Sequence, residues 1–130
     1  GETVKNYYQS DGLISNDVWC INSDAEGKIW IGTIEGACIF DGKTFSNFEL
    51  PLDIKDSTVG VSSAKMINKI LLDRKGKLWI ASNAGLFSYS NNTLTNVSKN
   101  MRIKTNLVSI GFEDKSENLV CRKSTLFIYL

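Results

Sequence analysis

The chain has 130 residues, 42% of them apolar and 22% charged, with fifteen Lys and Arg against fourteen Asp and Glu for a formal charge of +1. That balance is ordinary for a folded domain with its own core. It gives no electrostatic footprint for nucleic acid or an anionic membrane, and no apolar stretch approaches the length of a membrane span. There is no His, which removes the usual general base and the commonest metal ligand.

In chain order, the first expected element is a short strand, Val4-Lys5-Asn6-Tyr7-Tyr8. The sequence opens Gly1-Glu2-Thr3-Val4 without an initiator Met, so the lack of a leader within it says nothing about compartment. Next come Gly12-Leu13-Ile14-Ser15-Asn16-Asp17 and then Val18-Trp19-Cys20-Ile21. The latter run is apolar on both faces, as a strand stacked between two neighbouring sheets requires. Asp24-Ala25-Glu26-Gly27 has hairpin-turn chemistry, with Gly supplying a positive φ and Asp bonding back to the turn. Lys28-Ile29-Trp30-Ile31 is a strand rich in β-branched and aromatic residues. Thr33-Ile34-Glu35-Gly36 turns into Ala37-Cys38-Ile39-Phe40, and Asp41-Gly42-Lys43 turns into an outer strand, Thr44–Phe48. The single Pro, Pro51, falls in the loop that follows, where it interrupts no ladder.

The same order then repeats 49 residues on. Asp73-Arg74-Lys75-Gly76-Lys77-Leu78-Trp79-Ile80 repeats the segment that starts at Asp24. Val18 and Ile21 fall on Ile67 and Ile70, Phe40 on Tyr89, and Asn47 on Asn96. Asn91-Asn92 forms the third turn of this copy. A weaker third copy starts at Asp114, with Glu117 in place of Gly and Val120 in place of Trp, and ends with Leu126-Phe127-Ile128-Tyr129. Each unit reads as a meander of four short strands, and helical periodicity is absent.

Four-stranded units spaced by 40 to 50 residues predict an all-β chain of β-propeller blades, about three per chain. The boundaries are residues 12–48, 59–97 and 102–130, the last blade being completed by the strand at 4–8. Propellers need at least about four blades. Two chains are therefore expected to associate head to tail as a homodimer and close a six-bladed ring; a segment cut from a longer propeller is the alternative.

The motif Gly12-Leu13-Ile14-Ser15-Asn16-Asp17-Val18-Trp19-Cys20-Ile21, with Asp24-x-x-Gly27-x-x-Trp30-Ile31-Gly32-Thr33 and Gly36, resembles the two-component regulator propeller repeat. The resemblance is strong over 12–48, good over 59–97 and partial over 102–130. It implies the periplasmic or extracellular sensor region of a bacterial hybrid two-component system of the Bacteroides type. Such sensors respond to carbohydrate fragments. They carry many more blades, a sandwich domain, a membrane span and a kinase, and those later parts are not in this sequence.

Candidate ligand contacts are Trp19, which does not recur and lies on the first, channel-lining strand, and Asn16, Glu35, Asn83, Arg122 and Lys123, in or beside loops expected at one rim. Solvated loop polarity is the plain reading of the polar ones. Recurrence makes Trp30 and Trp79 packing residues rather than a sugar platform. Asp24, Asp73 and Asp114 each stand alone in a turn, which suits turn chemistry and not calcium. Cys20, Cys38 and Cys121 lie in apolar runs with neither zinc nor redox spacing and read as small buried hydrophobes, a disulfide between two of them being the alternative. With no His, nucleophile turn or paired carboxylates, an enzyme is not expected, and no cofactor or metal is called for. The expected function is a sensing module for an oligosaccharide or other small polar ligand, the alternative a protein-interaction scaffold.

Overall fold

A computed structural model of the chain describes residues 4–51, 65–83, 85–100, 108–113, 119–123 and 126–129, with 99–100 and all positions from 108 onward described as backbone. The first sheet has β1 (Val18–Ser23), β2 (Ile29–Thr33), β3 (Gly36–Phe40) and β4 (Phe45–Phe48), each antiparallel to the next. The second has β5 (Ile67–Leu72), β6 (Leu78–Ser82), β7 (Gly85–Ser90) and β8 (Thr93–Asn96) in the same order. The third has β9 (Val108–Glu113), β10 (Leu119–Lys123) and β11 (Leu126–Tyr129), with β11 at its edge. These are three successive blades. The first part of the second blade, the start of the third, and the Asp114 turn lie outside the described residues.

The turn chemistry folds each meander. In the first blade Asp24 Oδ1 accepts from Glu26 N and Lys28 N at 3.0 and 2.9 Å; in the second Asp73 Oδ1 accepts from Lys75 N and Lys77 N at 2.9 and 2.8 Å. Thr33 Oγ1 donates to Gly36 O at 2.9 Å and Ser82 Oγ to Gly85 O at 3.0 Å, so the β2–β3 and β6–β7 turns are tied alike. Asn91 and Asn92 both take positive φ between β7 and β8, as a tight two-residue hairpin turn requires.

The core lies between the first two blades. Trp30, Ala37, Ile67, Ile70, Leu78, Ile80 and Phe87 form one buried cluster, with Phe48, Leu50 and Tyr89 against it. Trp30 meets Phe48 and Tyr89 with ring centroids 4.7 and 5.0 Å away, so it packs between blades as its recurrence predicts. Gly32 lets the sheets approach: a Cβ there would overlap Cys20 Sγ and the Ile67 side chain. Asn22 Nδ2 donates to Ile70 O at 3.1 Å across the joint. Cys38 is buried and Cys20 half-buried, and both are free thiols.

Two expectations are corrected. Val4–Tyr8 is not a strand in this structure: Tyr7 packs through its ring on Phe40 and Phe45 of the first blade rather than joining a ladder. Nor is the chain free of helix. Gln9–Asp11 makes one 3-10 turn, and α1 (Val97–Asn100) begins where the outer strand was expected to run on to Val97. There Ser98 Oγ accepts from Leu86 N, a buried bond that turns the chain inward.

Candidate functional site

A cleft of about 360 Å³ opens at the joint between the first two blades. The β2–β3 turn supplies Glu35, the end of β4 and the residues after it supply Asn47, Phe48 and Glu49, and Lys65 stands just before β5. Ile14, Leu50 and Pro51 add apolar wall. The turn that carries Glu35 is fixed, because Glu35 N donates to Thr33 Oγ1 at 3.1 Å. Asn47 and Phe48 are placed by the β3–β4 ladder, in which they pair with Cys38 and Ala37. Among the described residues, no hydrogen bond or ion pair engages the side chains of Glu35, Asn47, Glu49 or Lys65. Two carboxylates, an amide and an ammonium therefore stand unspent around an apolar floor.

Among the described residues, Glu35 alone of the expected contacts lines this cleft. Asn16 is committed to the N-terminal segment, its Oδ1 accepting from Gln9 N at 2.8 Å. Asn83 lies in the turn after β6, accepts from Asn68 Nδ2 at 3.1 Å, and donates its own N–H to Met66 O. Arg122 and Lys123 lie within β10, paired in register with Phe127 and Leu126, rather than in the loop after it. Trp19 occupies a bulge in β1, where the register with β2 shifts between Val18 and Cys20; Asn68 occupies the equivalent bulge in β5. Bulges re-aim a side chain, and Trp19 stays 56% exposed. Asn47, Glu49 and Lys65 were missed because nothing in a repeat pattern marks the end of an outer strand or a connection as facing a neighbouring turn.

Among the described residues, no group of three His, Cys, Asp or Glu side chains is placed to hold a metal ion, and no helix is long and apolar enough to cross a membrane. Burial pushes the Cys20 and Cys38 thiols above the ordinary thiol range.

Residues 12–35 match the model of the two component regulator propeller family. None of the curated proteins matches the chain. Among solved structures, the chain is similar to the extracellular domain of hybrid two component system BT3049 from B. thetaiotaomicron, with 25% identity and a TM-score of 0.71 over 91% of this chain and 16% of that one. A second match is the extracellular domain of hybrid two component system BT4673 from the same organism, with 21% identity and a TM-score of 0.38 over 87% of this chain and 21% of that one. The chain thus spans about a sixth of the first and a fifth of the second. The matched motif covers residues 12–35, and the chain as a whole has the fold of propeller blades, similar to the extracellular domain of the B. thetaiotaomicron hybrid two component system BT3049.

Proposed function

We propose that the chain is a non-catalytic sensing module, placed outside the cytoplasmic membrane, whose first two blades hold an oligosaccharide or similar small polar ligand in the cleft at their joint. The cleft carries this reading. Its volume of about 360 Å³ lies in the range of small-molecule sites, which combine apolar walls with a few placed polar groups. Glu35, Glu49 and Asn47 accept sugar hydroxyls, Lys65 donates to ring or carboxylate oxygens, and the edge of Phe48 with Leu50 and Pro51 meets the C–H face of a sugar. A ligand seated there touches both blades and stiffens their joint, the kind of change a signalling domain passes on. Binding is favoured over catalysis by the absence of His from the sequence, and extracytoplasmic placement by the similarity to extracellular domains.

The test is a thermal-shift screen of the chain against neutral and uronic-acid oligosaccharides. A ligand at a hundred times its Kd adds about 2.7 kcal/mol to the folded state, a rise of several degrees in melting temperature. Glu35→Gln and Lys65→Ala each abolish most of that rise. No shift with any saccharide, together with a defined protein captured on the rim, replaces this reading with an interaction scaffold.

A further inference from the structure

The two carboxylates of the cleft are not demanded by the repeat. Forty-nine residues on, the positions of Glu35 and Glu49 hold Ala84 and Ser98. Ser98 is buried, its Oγ accepting from Leu86 N and donating to Leu86 O. A Cβ on Gly85 would stand 2.8 Å from that Oγ. The second blade thus plugs the gap beside its β6–β7 turn with a short side chain that satisfies the strand. The first blade leaves the same gap open. Among the described residues, a Cβ on Gly36, the equivalent of Gly85, would meet only Ile14 Cδ1, at 3.5 Å. Glu49 stands exposed at the plug position.

Both carboxylates ride on fixed backbone. Glu35 lies in the β2–β3 turn that Thr33 Oγ1 ties down. Glu49 follows Phe48, whose ring is locked against Trp30 and Tyr89 with centroids 4.7 and 5.5 Å away. The pairing of Phe48 with Ala37 brings Glu49 level with Gly36, the residue after Glu35. Groups held in place before a ligand arrives lose less conformational freedom when it binds.

Charge then selects the ligand. Among the described residues, Glu35, Glu49 and Lys65 are the ionisable side chains that line the cleft, which leaves one negative charge in excess. None of the three is paired with another. An anionic ligand adds to that excess. An ammonium cancels it and brings three N–H donors, enough to meet both carboxylates in charge-assisted bonds. Ile14, Phe48, Leu50 and Pro51 offer an apolar face beside them.

We propose, on the reading of the cleft as a ligand site, that its ligand carries a primary ammonium group, which Glu35 and Glu49 hold between them while Lys65 donates to an oxygen of the same ligand. An amino sugar and the free amino terminus of a short peptide share this chemistry.

Calorimetric titration of the 130-residue chain against paired ligands tests this. One pair is a glucosamine disaccharide and its N-acetylated form; the other is a dipeptide with an apolar side chain and its N-acetylated form. The free amine of one pair binds roughly tenfold or more tightly than its acetylated partner, and the pair that shows the difference tells an amino sugar from a peptide. Glu35→Gln and Glu49→Gln each weaken that amine by a similar factor while the circular dichroism of the blades is unchanged, and added salt weakens it too. Glu49→Lys reverses the net charge of the cleft and turns its preference to a uronic-acid saccharide. Equal binding of free and acetylated forms, tighter binding of a uronic acid than of either amine by the unaltered chain, or no loss in Glu49→Gln overturns the ammonium and leaves the cleft a ligand site. No binding of any saccharide or dipeptide overturns both.

Discussion

The indole Nε1 of Trp30 donates to Oδ2 of Asp24 at 2.9 Å, and 49 residues further on the indole of Trp79 donates to Oδ2 of Asp73 at the same distance. One carboxylate thus holds both the hairpin turn, through its other oxygen, and the large aromatic that packs the joint between blades. The pairing explains why Asp and Trp recur together at a fixed interval of six residues. A Trp buried in a sheet interior needs a partner for its N–H, and the turn Asp is the nearest acceptor that the meander brings under it.

Removing that acceptor costs more in the first blade than in the second. Trp30 is fully buried, whereas Trp79 is half-buried with Lys77 Nζ 5.4 Å from its ring centre. Asp24→Ala leaves the Trp30 N–H dry and unpaired and is expected to cost about 3 kcal/mol; Asp73→Ala, where water reaches the indole, costs about 1–2 kcal/mol. Urea unfolding at unchanged m-value checks both. In the double variant Asp24→Ala/Trp30→Phe the costs add to less than their sum, because the phenyl ring has no donor to strand.

The meander was legible in the sequence because its turns are written in residue types with few alternatives. Asp24, Gly27, Asp41 and the Asn91-Asn92 pair each appear where a turn was expected. The blade order follows from the 49-residue register, and so does the packing role of Trp30. The indole-to-carboxylate bond was not legible: turn chemistry accounts for Asp24 with one oxygen, and nothing local shows that the other lies beneath a side chain six residues on. The cleft was half legible. Glu35 is marked by its turn, but Asn47, Glu49 and Lys65 reach it only through the stacking of one blade on the next. The strand expected at Val4–Tyr8 has the right pattern, but a strand needs a ladder partner, and a residue pattern does not show that Tyr7 packs through its ring on Phe40 and Phe45 instead.

Gly32 is expected to be intolerant of even one carbon. Its φ is not in the left-handed region, so the constraint is packing alone: a Cβ would stand 2.6 Å from Ile67 Cγ2 and overlap Cys20 Sγ. Gly32→Ala therefore pushes the first two blades apart at a cost of about 2 kcal/mol. Ile67→Ala removes the obstructing branch at its own cavity cost. Combining the two gives a loss smaller than the sum, measurable in a double-mutant cycle.

Trp19 and Glu35 separate the inner strand from the cleft as the place of ligand contact. Both were expected to touch ligand, but Glu35 lines the cleft while Trp19 stands exposed in the β1 bulge beside Val18 and Ile21. Trp19→Ala is expected to leave saccharide shifts in the cleft unchanged, whereas Glu35→Gln abolishes most of them. Calorimetric titration of the two variants side by side reads both effects, and a Trp19→Ala variant that lost saccharide binding would place the ligand on the inner strand.

The pH dependence of stability has two limbs with different owners. On the acid side, N–H donors from Thr44 and Lys43 hold the Asp41 carboxyl below the usual carboxylate range. The unfolded state then binds the proton first, so the contribution of Asp41 is complete above the ordinary carboxylate range and is lost as pH falls through its lowered value. Asp41→Asn flattens that part of the curve. On the alkaline side the sign reverses. Desolvation raises the thiols of Cys20 and Cys38, partly offset at Cys20 by N–H donors and Lys69 and at Cys38 by the backbone of Ile14. Folding then favours the protonated thiols, and stability falls as pH rises from the ordinary thiol range through their raised values. Cys38→Ala removes its share of that fall. Because the thiolate is the reactive form, buried Cys38 alkylates at neutral pH far more slowly in the folded chain than in urea. A rapid reaction of Cys38 with iodoacetamide in the native state would show that the joint between β3 and the segment carrying Leu13 and Ile14 opens far more often than its packing allows.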